Sequence, residues 1–214
     1  MPGSAEDIMA LDGSTTSFGL MRHAETAWNP ENRIQGHSDL PLAQEGKRKS
    51  RRLGRILAPI PWNRILTSDL NRAFETAKLI NLTLNVSIHR DMRLREQNWG
   101  RWEGKTIKEI DKLISTQGIE SGWKFCPPGG EDRISVTARS QAALTDAARR
   151  WPGETILVIT HHGVIRCLIY NLTKETLLSK SSFPLLRYDH LHSLKHDGDG
   201  LKMAKTNAIG LNLL

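Results

Sequence analysis

The chain carries the sequence LMRHAETAWN at residues 20–29, where an apolar run leads directly into Arg22 and His23 and a polar turn follows. Open α/β sheets bind ligands at the carboxyl ends of their strands, which is where this order would put the two side chains. Arginine presents a planar fork of donors that matches phosphate oxygens. Histidine titrates near neutral pH and has a nucleophilic ring nitrogen. The pair therefore predicts a histidine that attacks a phosphoryl group.

The rest of the chain alternates between strand and helix patterns. Apolar runs bounded by turn or charge signals predict strands near 18–22, 64–68, 86–89 and 155–160. Helical spacing of apolar residues predicts helices near 41–58, 70–83, 106–116, 132–150 and 163–171. The uninterrupted run 156–159 is typical of a central strand, and a hairpin is expected around 197–200. This alternation predicts an α/β fold, a three-layer α/β/α sandwich with a mostly parallel central sheet and a small helical cap.

The length of 214 residues suits one domain. Residues 1–16 are polar and predict a flexible N-terminal tail, with a single domain over 17–214. A helical cap insertion is expected at about 92–152, beside the site. Helix starts are predicted at Asp132 and at Ser68 or Asp69, since these residue types cap helices.

Five groups of residues, taken together, resemble the signature of the histidine phosphatase superfamily, whose fold is phosphoglycerate-mutase-like. They are Arg22-His23 with Thr26 and Trp28-Asn29, Arg33-Ile34-Gln35-Gly36 with Asp39, Thr67-Ser68-Asp69-Leu70 with Arg72-Ala73 and Thr76-Ala77, Leu94-Arg95-Glu96 with Gly100 and Trp102-Glu103-Gly104, and Thr160-His161-His162-Gly163 with Arg166. Each group alone is weak, but all five occur in the expected order across roughly 18–207.

The resemblance implies roles for five catalytic residues. His23 would be the nucleophile that forms a phosphohistidine, with its other ring nitrogen donating to a backbone carbonyl. Arg22 and Arg72 would clamp the phosphate oxygens; for Arg72 the alternative is a surface helix charge. Glu96 would be the general acid and then the base, with Glu103 as the rival carboxylate. The second catalytic histidine would donate to a phosphate oxygen. The family places an arginine five residues after this histidine, and the spacing to Arg166 assigns the role to His161 rather than to the adjacent His162.

Further residues are implied to contact the substrate phosphate, namely Asn29, Gln35, Gly36 and His162. His162 occupies a position that is usually glycine, which permits unusual backbone angles. Its alternatives are a donor to the substrate, a side chain that narrows the pocket, and a position without function. Trp28 and Trp99 are expected near the site.

Within the superfamily, the short cap and the 94–104 motifs resemble the phosphatase branch. The resemblance implies a metal-independent, histidine acid-type phosphatase that hydrolyses a small phosphorylated metabolite without a cofactor. A 2,3-bisphosphoglycerate-dependent phosphoglycerate mutase and a non-catalytic phosphate-binding module are the alternatives. The sequence does not identify the physiological substrate, and it leaves a homodimer open.

The net charge of +7 comes mostly from six cations between Lys47 and Arg55. Their helical spacing with Leu53 and Leu57 predicts the solvated basic side of a surface helix, with a nucleic-acid or membrane patch as the alternative. No aromatic residue interleaves them, so no nucleic-acid partner is expected. Two cysteines, no signal-peptide pattern and no apolar stretch of ~20 residues indicate a cytoplasmic protein without a membrane segment.

Three histidines could share one face of a C-terminal strand, namely His190, His192 and His196. Two of them at a two-residue spacing resemble a metal pair, but no third ligand accompanies them. A solvent-facing strand is the favoured interpretation, and no metal site is predicted.

Overall fold

The computed structural model describes residues 14–119, 121–174 and 190–211. Within these ranges six strands form one sheet in the order β3-β2-β4-β1-β5-β6. They are β1 (Thr16–Arg22), β2 (Arg64–Thr67), β3 (Ser87–Arg90), β4 (Thr155–Thr160), β5 (His190–His196) and β6 (Leu201–Gly210). The first four are mutually parallel, and β5 and β6 extend the sheet antiparallel to β1. The predicted mostly parallel α/β sheet is confirmed.

Helices cover both faces of this sheet. They are α1 (Gln44–Leu57), α2 (Asn71–Leu84), α3 (Ile107–Gln117), α4 (Arg133–Arg150) and α5 (His162–Thr173). On one face Leu57 and Ile80 of α1 and α2 join a cluster with Leu157. On the other face Leu144 of α4 and Leu168 of α5 pack with β1 and β4. The three-layer sandwich is confirmed.

Strand β4 lies between β1 and β2, and all six of its residues are buried. A strand covered on both faces needs apolar side chains at every position, which explains the uninterrupted run from Ile156 to Ile159. The prediction of a central strand is confirmed, and so is the hairpin that joins β5 to β6.

The predicted cap of 92–152 is longer than the part of the structure that packs separately. Helix α4 buries Val136, Leu144 and Ala147 in the main core beside α5. A separate apolar cluster forms around Trp102, Ile110 and Phe125, which belong to α3 and its flanking loops. The prediction that α4 belongs to the cap is therefore wrong. The helical spacing of its apolar residues predicts a buried face, but it does not indicate which part of the molecule covers that face.

The predicted tail also needs a correction at its end. Strand β1 begins at Thr16, which is buried and belongs to the sheet. Residues 1–13 lie outside the described residues.

One of the two predicted helix caps is correct. Asp132 is the N-cap of α4 and accepts a hydrogen bond from the Ser135 amide at 2.8 Å. The N-cap of α2 is Leu70, which has no side-chain oxygen to cap with. Asp69 instead forms an ion pair with Arg95, with Nη2 and Oδ2 2.6 Å apart. This distant partner competes for the carboxylate, and local sequence could not reveal it.

The interpretation of β5 as a solvent-facing strand is wrong. His192 and His196 are 2% and 7% exposed, because they share a face of β5 with Leu194, which packs in the core cluster formed with α4 and α5. Each Nδ1 accepts a backbone hydrogen bond, from Asn207 and Gly198 respectively. Across the described ranges, no group of three or more His, Cys, Asp or Glu side chains is placed to hold a metal ion.

Helix α1 is a surface helix with a basic outer side, as predicted. Its inner face buries Gly46, Ser50 and Leu57, while three of its cations form ion pairs. These pairs are Lys47 with Glu75, Arg48 with Glu45 and Lys49 with Glu25. None of the described helices is long and apolar enough to cross a membrane.

Candidate active site

The site lies where β1 and β4 end side by side. The two strands pair in parallel with Arg22 opposite Thr160, and the His23 amide donates to the Thr160 carbonyl at 2.9 Å. His23 follows β1 and His161 follows β4, so the sheet brings the two rings together with their centroids 5.1 Å apart. Residues far apart in sequence therefore meet at the carboxyl edge, where open α/β sheets bind ligands.

The hydrogen bond of His23 fixes its tautomer. Its Nδ1 lies 2.7 Å from the Ala24 carbonyl oxygen, which can only accept, so Nδ1 carries the hydrogen. In the neutral ring Nε2 then keeps its lone pair. The bond from Nδ1 is the backbone contact that we expected from the sequence. Burial lowers the pKa of His23 well below its ordinary value, and the charges of Arg22 and Arg72 lower it further. The ring is therefore neutral, and its Nε2 is nucleophilic, at neutral pH.

His161 is fully buried, yet neither of its ring nitrogens has a hydrogen-bond partner among the described residues. Buried polar atoms are normally paired, so two orphaned nitrogens in one ring indicate a site built for a ligand. Burial, followed by the charges of Arg72 and His23, holds its pKa well below the ordinary value. A neutral imidazole can still donate one hydrogen bond to a phosphate oxygen.

Arg72 is fully buried, so the alternative of a surface helix charge is wrong. Its Nη1 donates to the Ser38 carbonyl at 2.8 Å and its Nη2 to the Gly36 carbonyl at 2.7 Å. Within the part of the chain that the structure describes, its Nε has no partner. Desolvation lowers the pKa of Arg72 to about 10, which still leaves it charged at neutral pH. Arg22 lines the same pocket, so two guanidinium groups accompany the two histidines.

The loop 36–38 that anchors Arg72 is itself fixed by Glu103. From the sequence alone, this residue is only an alternative to Glu96 for the general acid. The Glu103 carboxylate accepts from the His37 amide at 2.7 Å and from the Ser38 hydroxyl at 2.8 Å. Gly36 has a φ of 50°, and a Cβ there would collide with Glu103. Glu103 does not line the pocket. The one sequence feature that could have indicated a role for Glu103 in the site is its place in the Trp102-Glu103-Gly104 motif.

Glu96 lines the pocket, and its carboxylate lies against the first turn of α5. Its Oε2 accepts from the Gly163 amide at 3.3 Å and its Oε1 from the Gln97 amide at 2.9 Å. A Cβ on Gly163 would collide with the Glu96 carboxylate. This glycine lets the helix approach the acid closely.

Asn29 and Gln35 also line the pocket. The Asn29 Oδ1 accepts from the Thr26 amide at 2.7 Å and from the Gln35 Nε2 at 3.2 Å. The oxygen is therefore engaged, which leaves the NH₂ group of Asn29 for a ligand. Gln35 holds Asn29 in place, and its own Oε1 is buried with no partner in the described ranges.

His162 is the first residue of α5, and its side chain lines the pocket. It is not among the residues with positive φ, so a histidine fits this usually glycine position without backbone strain. The close approach that a glycine provides falls on Gly163 instead. Burial, then the charges of Arg22 and Arg166, lowers the pKa of His162 well below the ordinary value. Trp99 lines the pocket as expected, whereas Trp28 does not.

The pocket has a volume of about 250 Å³, and it extends past the histidines to Arg133, Arg166 and Cys167. Arg133 and Cys167 were not predicted as site residues, and Arg166 served only to identify His161. Burial raises the pKa of the Cys167 thiol to about 11, so this cysteine stays protonated and is not a nucleophile at neutral pH.

Similar proteins include enzymes named as phosphatases and as mutases. Probable phosphoglycerate mutase GpmB of Enterobacter sp. is 33% identical over 159 residues, which cover 70% of this chain and 71% of that protein. Glucosyl-3-phosphoglycerate phosphatase of Mycobacterium tuberculosis is 30% identical over 167 residues, or 72% and 74% of the two chains. Among solved structures, YhfR of Bacillus stearothermophilus superposes with a TM-score of 0.79 at 32% identity, covering 91% of this chain and 97% of that one.

The sequence model of the histidine phosphatase superfamily (branch 1) matches residues 18–209. This match spans the sheet, the site and most of the described helices. The five sequence motifs predicted the same family, with phosphoryl chemistry at a histidine. The chain is an enzyme of the histidine phosphatase superfamily.

Proposed function

We propose that this enzyme is a phosphomonoesterase that transfers the phosphoryl group of a small phosphorylated metabolite first to His23 and then to water. One observation carries the proposal. The neutral ring of His23 presents its Nε2 beside the fully buried His161, whose two nitrogens have no partner in the described part of the chain. A phosphoryl group bound between the rings gives Nε2 an electrophile and gives His161 an acceptor for its hydrogen.

In the first step the His23 Nε2 attacks phosphorus, and the bond from phosphorus to the ester oxygen breaks. Protonated Glu96 gives its proton to the leaving oxygen, which departs as an alcohol. Phosphoryl transfer asks mainly for positioning and for neutralising charge on the equatorial oxygens. Arg22, Arg72 and the positive end of α5 supply that charge.

In the second step water attacks the phosphohistidine. Glu96, now ionised, takes a proton from the water as the bond from phosphorus to Nε2 breaks. Phosphate leaves, and both His23 and Glu96 return to their starting forms.

A phosphoglycerate mutase is the second candidate, favoured by the relatives that carry this name. A mutase returns the phosphoryl group to a second hydroxyl rather than to water. Interconversion of 2- and 3-phosphoglycerate that requires a bisphosphate primer would establish it. Phosphate release without a primer supports the phosphatase.

The test is rapid-quench kinetics with an aryl phosphate, combined with detection of acid-labile, base-stable phosphate on the protein. We expect a burst of aryl alcohol with phosphate bound at His23, and a loss of turnover of at least about a thousand-fold in His23→Ala. His190→Ala, on β5 outside the pocket wall, is the control and keeps its rate. Full turnover by His23→Ala, or loss of the wild-type rate on treatment with a chelator, would overturn the proposal. Tight phosphate binding without turnover would instead indicate a non-catalytic module.

A further inference from the structure

We infer that Arg133 and Arg166 form a second anion-binding subsite, which selects phosphomonoesters that carry another oxyanion group, a carboxylate or a second phosphate. This inference rests on the proposed function, because it concerns the substrate of the same pocket. These two arginines have no role in the proposed phosphoryl transfer at His23.

The charges in the pocket wall are strongly unbalanced. Five arginines line it, whereas Glu96 is the one carboxylate among the lining residues of the described chain. Arg22 and Arg72 accompany the histidines at the reacting end. Arg33 is already neutralised, with its Nε 2.6 Å from the Glu31 Oε2. The positive charges of Arg133 and Arg166 remain.

Arg133 is held in place but not neutralised. It is the first residue of α4, and its Nη1 donates to the Gly122 carbonyl at 3.0 Å while its guanidinium lies 4.4 Å from the centre of the Phe125 ring. Desolvation, together with the charge of Arg166, lowers the pKa of Arg133 to about 10, and no carboxylate opposes this. The group is a charged, desolvated cation beside another cation.

Arg166 follows His162 by one turn on the same face of α5, a rise of about 6 Å. Its guanidinium lies 5.4 Å from the centre of the Tyr170 ring. No carboxylate of the described chain forms an ion pair with either Arg166 or Arg133. The face of α5 thus runs from the reacting end of the pocket to this second pair of guanidinium groups.

A desolvated guanidinium beside a second one, with no counterion among the described residues, is unfavourable unless something neutralises the pair. A guanidinium fork binds carboxylate and phosphate oxygens with two parallel hydrogen bonds. An anion between Arg133 and Arg166 would relieve their repulsion and contribute binding energy that a neutral tail lacks. Because the two ends of the pocket are about one helical turn apart, the second anion belongs a few bonds from the phosphate ester.

The test compares substrates that differ only in this group. 3-Phosphoglycerate carries a carboxylate where glycerol 3-phosphate carries a hydroxymethyl group, and glycerol 1,3-bisphosphate carries a second phosphate there. For the wild type we expect kcat/KM at least about ten-fold higher for one or both substrates that carry a second anionic group than for glycerol 3-phosphate. The member of the pair that is preferred identifies the second anion as carboxylate or phosphate.

The variants Arg166→Gln and Arg133→Gln then report on the subsite. We expect the ratio of kcat/KM between substrates with and without the second anionic group to fall towards one in each variant, mainly through KM, and Arg166→Lys to restore part of it. Arg51→Gln, on the exposed side of α1, is the matched control and keeps the wild-type ratio. Arg133 packs on Phe125, so if its variant fails to fold, the Arg166 variants decide the question.

A wild-type ratio below about three, or a ratio that both glutamine variants leave unchanged, would overturn the inference. Turnover of an aryl phosphate through His23 would continue in that case, and the proposed function would stand. Absence of a phosphohistidine in the wild type would instead remove the proposed function itself.

Discussion

At the scale of single residues, the pair His162 and Gly163 shows how a departure from the family pattern is accommodated. A histidine replaces the usual glycine directly after His161, and the helical backbone there accepts it. The tight contact with the Glu96 carboxylate then falls on Gly163. In this chain the residue that must lack a side chain beside Glu96 is Gly163.

We expect Gly163→Ala to lower kcat at least about ten-fold, because the new Cβ displaces the Glu96 carboxylate and misplaced acid groups are costly. The φ of Gly163 is not positive, so alanine fits the helical backbone and the free energy of unfolding should change little. Steady-state kinetics and urea unfolding measure the two effects separately. Asn171→Ala, exposed on the same helix, serves as the control. An unchanged kcat would show that Glu96 does not need this position.

At the scale of elements, the loop 36–38 connects the acid of one motif to the arginine of another. Glu103 fixes the loop through His37 and Ser38, and the loop carbonyls in turn fix Arg72. Glu103 is therefore a positioning residue that acts through Arg72 and touches no reacting atom.

We expect Glu103→Ala to raise KM and lower kcat/KM about ten-fold, and to lower the free energy of unfolding by about 1–3 kcal/mol, the range for unsatisfied buried partners. Glu103→Gln keeps an oxygen for the His37 amide and should lose much less. Enzyme kinetics and urea unfolding of the two variants test this. Equal losses in both variants would mean that the charge of Glu103, rather than its contacts, is what the site uses.

The elements themselves were predictable because strand and helix periods are local. The run 156–159 indicated a strand covered on both faces, and Asp132 indicated the start of α4. The location of α4 and the burial of His192 were not predictable, since each depends on which element packs opposite. Asp69 failed as a cap for the same reason, because its partner Arg95 belongs to another segment.

At the scale of the whole molecule, the motifs predicted which residues meet at the carboxyl edge of the sheet. His23, Glu96 and His161 lie in separate segments, yet a resemblance spread along the chain placed them in one pocket. Arg133 and Cys167 were not predicted as residues of the pocket, because their position in its wall depends on how α4 and α5 pack. Such positions carry no motif of their own.

Buried histidines should make global stability depend on pH. The pKa values of His23, His161 and His162 are all lowered well below the ordinary value, with burial as the largest cause. Below about pH 6.5 the unfolded chain binds protons at these residues and the folded chain does not. The free energy of unfolding should therefore fall as pH drops below about 6.5, by up to about 1.4 kcal/mol per pH unit for each histidine, until the lowered folded-state pKa is reached.

Urea unfolding between pH 7.5 and 5 measures this slope. In His162→Gln the slope should be smaller by up to the contribution of one histidine, while above pH 7 the variant and the wild type should run parallel. Exposed carboxylates contribute equally to both proteins and cancel in the comparison. Identical slopes below pH 6.5 would contradict a lowered pKa of His162 in the folded protein.

Strand β1 is synthesised before β4, and two other strands and four helices of the described chain separate the two in sequence. Since the His23 amide donates to the Thr160 carbonyl and His161 follows directly, a nascent chain holds its nucleophile before it holds the second histidine of the site. We expect a truncated chain that lacks β4 to be inactive, because it lacks both the partner strand of β1 and His161.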